Sequence, residues 1–525
     1  MRMRVDSVLT LQKRARSKNL ALLSACSAAL LFFTSSCADK ASETPEQNAF
    51  QEISPCPFPG ADDVDPSRLR CGYLTVPENR SDPASDQLKI PVAIVKSASA
   101  EPKPDPVVFL HGGPGAAPLG SERVYKLFAG HMFGADRDII IYNQRGSQMV
   151  QPSLDCGEAL AARNDAYAQD LTLAQRDEAI SDMATSCLRT LVAKGRDLHG
   201  YTAQENAADL HDLRTSLGID QWNLMAVSYG VLMALEAARI DERGVRSLIL
   251  DSVVSHESDL FMSEANRNFA RSIDRLLGAC AADAACAQTF PELDEKLSSL
   301  LVKLKAAPVA VSLNRADGGV QEIIVNWHDF LNLLHWMLYN SETLRLAPLL
   351  ISQTEAGDTS LLTNLMDNVF PAPKNGSGGA SASFFPIVCN DQYRDRSAFS
   401  AQKTRFDGFA ITSFMERVCE QPEFEFANRG PLAPTPLETP TLLLAGYFDP
   451  MTPDIYAKQA EKNLPQSVFV SIPNFGHSTL SGYTACQTVL AKSFLDELKA
   501  TEAFSCADDL KGPAFIFSPA EPAPN

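Results

Sequence analysis

The sequence predicts an α/β fold: a mostly parallel sheet flanked by helices, with a helical lid inserted into it. Three observations carry this expectation. Short buried apolar runs alternate with helical patterns from Cys71 to about residue 255 and resume near Pro440. Between about 256 and 430 that rhythm breaks into largely helical periodicity. The 525 residues also exceed one ordinary domain, which leaves room for an insertion. Hydrophobic residues at 45% and charged residues at 21% exclude a disordered, collagenous or coiled-coil chain.

The elements follow in order. Arg2, Arg4, Lys13, Arg14, Arg16 and Lys18 precede an apolar stretch, 20–33, that is too short to span a bilayer. This is the anatomy of an export signal, residues 1–37. Thr34-Ser35-Ser36-Cys37 forms an imperfect lipoprotein box, with Cys37 the residue to be lipidated and ordinary cleavage after Ala38 the competing reading. Residues 38–55 are small and polar, a linker. The first core segment, 56–255, holds expected strands at 72–76, 88–95, 107–110, 139–142, 222–227 and 247–250, with a helix at 203–217. The lid, 256–430, has helical patterns at 266–277, 293–304, 327–338 and 344–356, and a low-complexity loop at 374–379. The second core segment, 431–510, returns with strands at 441–445 and 468–472, and 511–525 is a Pro-rich surface tail.

Charge and cysteines narrow the class. The formal charge is −18; removing residues 1–36, which carry six Lys/Arg and one Asp, leaves −18 − 5 = −23. So acidic a surface repels phosphate backbones, which argues against nucleic acid as a partner. Ten cysteines lie beyond Cys37, an even number that in an exported chain implies disulfides. Taken in order they form five close pairs: Cys56 with Cys71, Cys156 with Cys187, Cys280 with Cys286, Cys389 with Cys419, and Cys486 with Cys506. The sequence leaves that connectivity open. It contains no Cys-x-x-Cys or His-Glu-x-x-His, so no metal or other cofactor is expected. His328 and His335, seven apart on one expected helix, read as packing residues rather than ligands.

Four features carry chemistry. Ala226-Val227-Ser228-Tyr229-Gly230 stands between an expected strand and helix, the setting of a nucleophile elbow. Small residues flank the Ser because the turn is tight, and Ala226 replaces the commoner Gly. Alone the pattern arises by chance on the order of 0.3 times in such a chain, and an N-cap serine is its bland reading. His111-Gly112-Gly113-Pro114-Gly115 follows another strand. Its glycines let backbone N–H groups approach a ligand, giving an expected oxyanion hole from the N–H of Gly113 and that of Tyr229. Asp449 lies just past the strand at 441–445. His477 follows the strand at 468–472 and is the only one of eight histidines after Asp449. The order Ser228, Asp449, His477, each at a strand end, is that of a catalytic triad.

With these residues in hand, the chain from about Cys56 to Cys506 resembles the α/β-hydrolase superfamily, and within it the prolyl and tripeptidyl aminopeptidases. Supporting motifs are Cys71-Gly72-Tyr73-Leu74-Thr75-Val76-Pro77, His111 to Gly115, Asn143-Gln144-Arg145-Gly146-Ser147 (similar to the family's Asp-Gln-Arg-Gly), and Ile387-Val388-Cys389-Asn390-Asp391. Ala226 and Asn143 depart from the family pattern, and neither touches the triad. The resemblance implies a periplasmic, envelope or secreted serine hydrolase, held to a membrane only if Cys37 is lipidated. It would act on peptides with a free N-terminus. An acid near the lid would meet the substrate ammonium; Asp391 is the candidate, with a loop-capping Asp as the competing reading. Arg145 reads as a structural ion-pair partner. A carboxylesterase on the same triad is the alternative. A catalytically dead binding protein is disfavoured by the complete triad, and an epoxide hydrolase or dehalogenase by Ser rather than Asp at the elbow.

Overall fold

The apolar runs become the strands of one sheet. The computed structural model describes residues 49–518, apart from 122–123, 126–127, 129–135, 157–165, 167–168, 256–257, 259–263, 315–318, 370–380, 394–403, 427–433, 435 and 483–484. The sheet strands are β1 (Phe50–Ile53), β2 (Leu69–Pro77), β3 (Gln87–Val95), β4 (Val107–Leu110), β5 (Ile139–Tyr142), β6 (Trp222–Val227), β7 (Val245–Asp251), β10 (Thr441–Gly446) and β11 (Ser467–Ile472). They lie side by side as β1-β2-β3-β5-β4-β6-β7-β10-β11. The first three pair antiparallel, and β3 meets β5 antiparallel; from β5 onward every pairing is parallel. Every residue of β4, β5, β6 and β10 is buried, as parallel strands covered on both faces must be.

Helices cover the sheet. Ala203–Ser216 starts at Thr202, whose hydroxyl accepts the Glu205 N–H at 3.1 Å. Gly230–Ile240 starts two residues past the end of β6. Between β7 and β10 lies the insertion. It contains Ala265–Ala282, Leu293–Ala306, Trp327–Tyr339, Ala347–Glu355, Ser360–Val369 and shorter helices as far as Phe414–Cys419. It is not wholly helical: β8 (Val309–Asn314) and β9 (Val320–Val325) form an antiparallel hairpin. The insertion has its own apolar core, in which Phe269, Ile273, Leu297, Phe330, Leu334 and Leu350 pack together.

Two expectations are corrected. The linker at 38–55 does not run to Cys56, because Phe50–Ile53 adds an edge strand to β2. Its side chains are mostly exposed, so the sequence carries no buried face to signal it. The surface tail is partly docked. Phe515 is buried, the Ile516 N–H donates to Arg345 O at 3.1 Å, and Arg345 Nε donates to Ala514 O at 2.6 Å. The expected export signal 1–37 with Cys37, the expected linker as far as residue 48, and the loop 374–379 lie outside the described residues.

All five neighbouring cysteine pairs stand at disulfide distance, with Cα–Cα separations between 5.1 and 5.8 Å. Five such pairs point to an exported chain. Among the described residues no helix is long and apolar enough to cross a membrane, and no group of three His, Cys, Asp or Glu could hold a metal ion. His328 instead lies 3.0 Å from Leu171 O, and His335 is buried beside Phe269.

Candidate active site

Ser228 stands where β6 turns into the helix Gly230–Ile240. Its φ is 56°, a left-handed conformation that a non-glycine residue adopts at a cost of about 1–3 kcal/mol. The surroundings enforce it. The Ser228 N–H donates to Asp251 O at 3.0 Å, and a Cβ on Gly230 would stand 2.3 Å from Leu110 O. Ala226 takes its place as an ordinary paired residue of β6, between Leu110 and Leu250. Gly112 passes directly over Ser228; a Cβ there would lie 2.7 Å from the Ser228 Cβ.

The loop after β4 is bracketed by one side chain. Gln144 accepts the Gly115 N–H through Oε1 at 2.7 Å, and its Nε2 donates to His111 O and Gly112 O at 2.6 and 2.7 Å. Gly113 has φ 114°, open to glycine and strained for other residues. Among the described residues no acceptor takes the N–H of Gly113 or of Tyr229, so both donors are available to a ligand.

Asp449 and His477 meet beyond β10 and β11. His477 Nδ1 lies 2.8 Å from Asp449 Oδ2. Asp449 is fully buried yet satisfied: Oδ1 accepts the N–H groups of Met451 and Thr452 at 2.9 and 2.8 Å, and Oδ2 accepts the Thr452 hydroxyl at 2.7 Å. Burial alone would raise the Asp449 pKa, but the histidine and these donors hold it down at about 2. Burial likewise opposes charging of His477, and the Asp449 carboxylate outweighs it, so the imidazole pKa is raised. The strand ends come this close because Gly446 faces the histidine loop. A Cβ there would be 1.8 Å from Gly476 O.

Asp251, at the end of β7, joins the two halves. Its backbone carbonyl holds the Ser228 N–H. Its carboxylate accepts the Thr479 N–H and hydroxyl at 3.0 and 2.9 Å and the Leu480 N–H at 2.8 Å, just past His477. Burial pushes this carboxyl up to about 6 against those donors. Next to it, Ser252 Oγ accepts the Ser478 N–H at 2.7 Å. Ser228, 8% exposed, and His477 thus both lie past the C-terminal ends of parallel strands, linked through Asp251 and Ser252. No hydrogen bond joins Ser228 Oγ to His477 among the described residues; such bonds commonly tighten only when substrate binds.

Asp391 lies against Tyr229 and the start of the helix Ala203–Ser216. Its Oδ2 accepts the Tyr229 hydroxyl and the Ala203 N–H, both at 2.8 Å. The carboxylate therefore caps the helix Ala203–Ser216 and braces the residue after Ser228, which is the capping reading of this Asp. Arg145 is fully buried in a two-point pair with Asp209, at 2.9 Å through both Nε and Nη2. Sequence reasoning missed the roles of Gln144, Asp251, Thr452 and Tyr339. Gln144 lay inside the quoted stretch 143–147. Asp251 and Thr452 carried the weak signal of a polar residue at or just past a strand end, and Tyr339 carried none.

Comparison with known proteins places this geometry. The family model described as "alpha/beta hydrolase fold" matches residues 105–481. "Putative hydrolase YuaR" of Escherichia coli (strain K12) is 23% identical over 444 residues, covering 80% of this chain and 84% of that protein. "Serine protease Hip1" of Mycobacterium tuberculosis (strain ATCC 25618 / H37Rv) is 24% identical over 251 residues, 45% of this chain and 46% of that one. "Tripeptidyl aminopeptidase" of Streptomyces lividans is 25% identical over 209 residues, 38% of each chain. The matches to the last two thus span less than half of those proteins.

Proposed function

The chain belongs to the alpha/beta hydrolase fold family, and on that premise we propose that it is an exported serine peptidase releasing residues from the free N-terminus of peptides. One observation carries the chemistry. The 2.8 Å contact of His477 Nδ1 with a buried, ionised Asp449 lies at the C-terminal ends of the parallel strands, where Ser228 is held at φ 56°. In the proposed reaction Ser228 Oγ attacks the scissile carbonyl while His477 Nε2 takes its proton. The N–H groups of Gly113 and Tyr229 receive the oxyanion, a contribution often among the largest in such catalysis. His477 then protonates the departing amine, and water hydrolyses the acyl-serine by the same steps in reverse. Asp449 fixes the proton on Nδ1, so that Nε2 faces the nucleophile as a base. Thr452 and the backbone N–H groups keep Asp449 ionised.

The substrate class draws support from the relatives named as a serine protease and a tripeptidyl aminopeptidase, and from the family motifs in the sequence. The compartment draws support from the five cysteine pairs and the basic, then apolar, N-terminus. The test uses purified protein and Ser228→Ala with two substrates, a free-amine prolyl or tripeptidyl amide and its N-acetylated twin. Ser228-dependent cleavage of the free-amine form alone is the expected result. Ser228-dependent turnover of a short ester with no amide cleavage would make the protein a carboxylesterase.

A further inference from the structure

The lid helix Trp327–Tyr339 ends against the proposed base. Gly476 fits beneath it so closely that a Cβ would stand 1.7 Å from Leu338 O. The His477 N–H donates to Tyr339 O at 3.0 Å. The Tyr339 and His477 rings lie 4.6 Å apart at 52°. Trp336, one turn earlier, sets its indole 5.0 Å from the Tyr339 ring at 36°. Three rings therefore run from the base to solvent, held in place by backbone contacts at the inner end.

Trp336 is the outer ring. It is 47% exposed, while His335 and Met337 on either side are buried. A single exposed apolar residue is ordinary in any protein. This one differs in being joined, through the tilted Tyr339 ring, to the imidazole of the proposed base. In the proposed reaction Gly113 and Tyr229 receive the carbonyl oxygen and His477 delivers its proton to the departing amine, which brings the first leaving residue next to the imidazole against which Tyr339 packs.

We propose that Trp336 and Tyr339 form a subsite for an apolar, above all aromatic, side chain on the first residue of the leaving peptide. The substrate named here rests on the peptidase reading above; the location rests on the ring contacts. Stacking of this kind corresponds to a preference of about three- to tenfold.

The test compares free-amine peptides that differ only after the scissile bond, where Phe, Leu, Gly or Asp follows. Products are identified by mass spectrometry. Wild-type protein should cleave the Phe and Leu peptides about three- to tenfold faster in kcat/KM than the Gly peptide. Trp336→Ala should bring that ratio near one, with a larger loss of kcat/KM for the Phe and Leu peptides than for the Gly peptide. Trp336→Phe should restore most of the preference. Equal cleavage of Phe and Gly peptides by wild type, or a preference that survives Trp336→Ala, overturns the subsite and leaves the peptidase reading intact. If no peptide is cut but esters are, the same comparison is made with phenethyl and ethyl leaving groups. A preference lost in Trp336→Ala then upholds the subsite while the peptidase reading fails. Equal ester turnover, or no Ser228-dependent turnover at all, overturns both.

Discussion

Replacing Asp449 by Asn should disable the base while leaving its position unchanged. Oδ1 is fixed by the N–H groups of Met451 and Thr452 at 2.9 and 2.8 Å. The Asn side chain can keep those two bonds only by placing its oxygen there. Its NH2 group then occupies the Oδ2 position, 2.8 Å from His477 Nδ1. A donor in that place requires Nδ1 to accept, which moves the imidazole proton to Nε2, the nitrogen that must take the proton from Ser228. The tautomer becomes wrong with no atom displaced. Losses of this origin are on the order of 10³–10⁴ in kcat, about 4–5 kcal/mol of transition-state stabilisation. The assay is kcat and KM on whichever amide or ester is turned over, together with the rate of Ser228 labelling by a fluorophosphonate. KM should move little, and labelling should slow in parallel with kcat. A variant retaining kcat within tenfold of wild type would refute the assignment of Asp449 as the orienting acid.

Other outcomes follow from the same geometry. Asp449 raises the His477 pKa above its ordinary 6.5, so the acid limb of kcat/KM should fall above pH 6.5, and Asp449→Asn should move it to lower pH. In stability, the His477 contribution is complete below pH 6.5 and fades as pH rises through the raised value. The Asp449 contribution is present above about pH 4 and is lost as pH falls towards 2, which a thermal-melt series against pH would record. Gln144→Leu removes the bracket on the oxyanion loop and should lower kcat about ten- to hundredfold with KM within threefold; a change confined to KM would contradict this role. Asp391→Ala should cost about 1–3 kcal/mol in a denaturant titration, because a Tyr229 hydroxyl and an N-terminal helix N–H lose their acceptor. Its effect on KM should be equal for free-amine and N-acetylated substrates, and a loss selective for the free amine would return Asp391 to substrate binding.

Legibility from sequence tracked how local the determinant was. Val107–Leu110, Ile139–Tyr142 and Trp222–Val227 were readable to the residue because short, fully buried runs bounded by turns have few alternatives. That Ser228, the glycine loop, Asp449 and His477 each stand just past a strand was readable from the apolar runs before them. The edge strand Phe50–Ile53 was hidden, since a strand with one partner and exposed side chains leaves no apolar alternation. The β8–β9 hairpin was hidden within a segment whose surroundings are helical. The contacts of Asp391 were hard to read because an acid's partner is a matter of tertiary contact: Ala203 and Tyr229, each more than 160 residues away in the chain, bond its Oδ2. Asp251 was hard to see for the same reason: its work is done by packing against a loop 228 residues later.

The seating of Leu338 and Tyr339 on Gly476 and His477 bears on how such enzymes could be diversified. An insertion between two strands is commonly regarded as an exchangeable module, replaced at will above an unchanged catalytic floor. Here the module supplies one wall of the base's own mounting. A transplanted lid would have to bring a helix terminus of matching height and direction, or leave the His477 main-chain N–H without its acceptor and the imidazole without its ring neighbour. Variation should therefore be tolerated in the outer lid and resisted at its last helical turn before Asn340. Recombination libraries with crossovers on either side of that turn would separate lids that merely fold from lids that also leave the enzyme working.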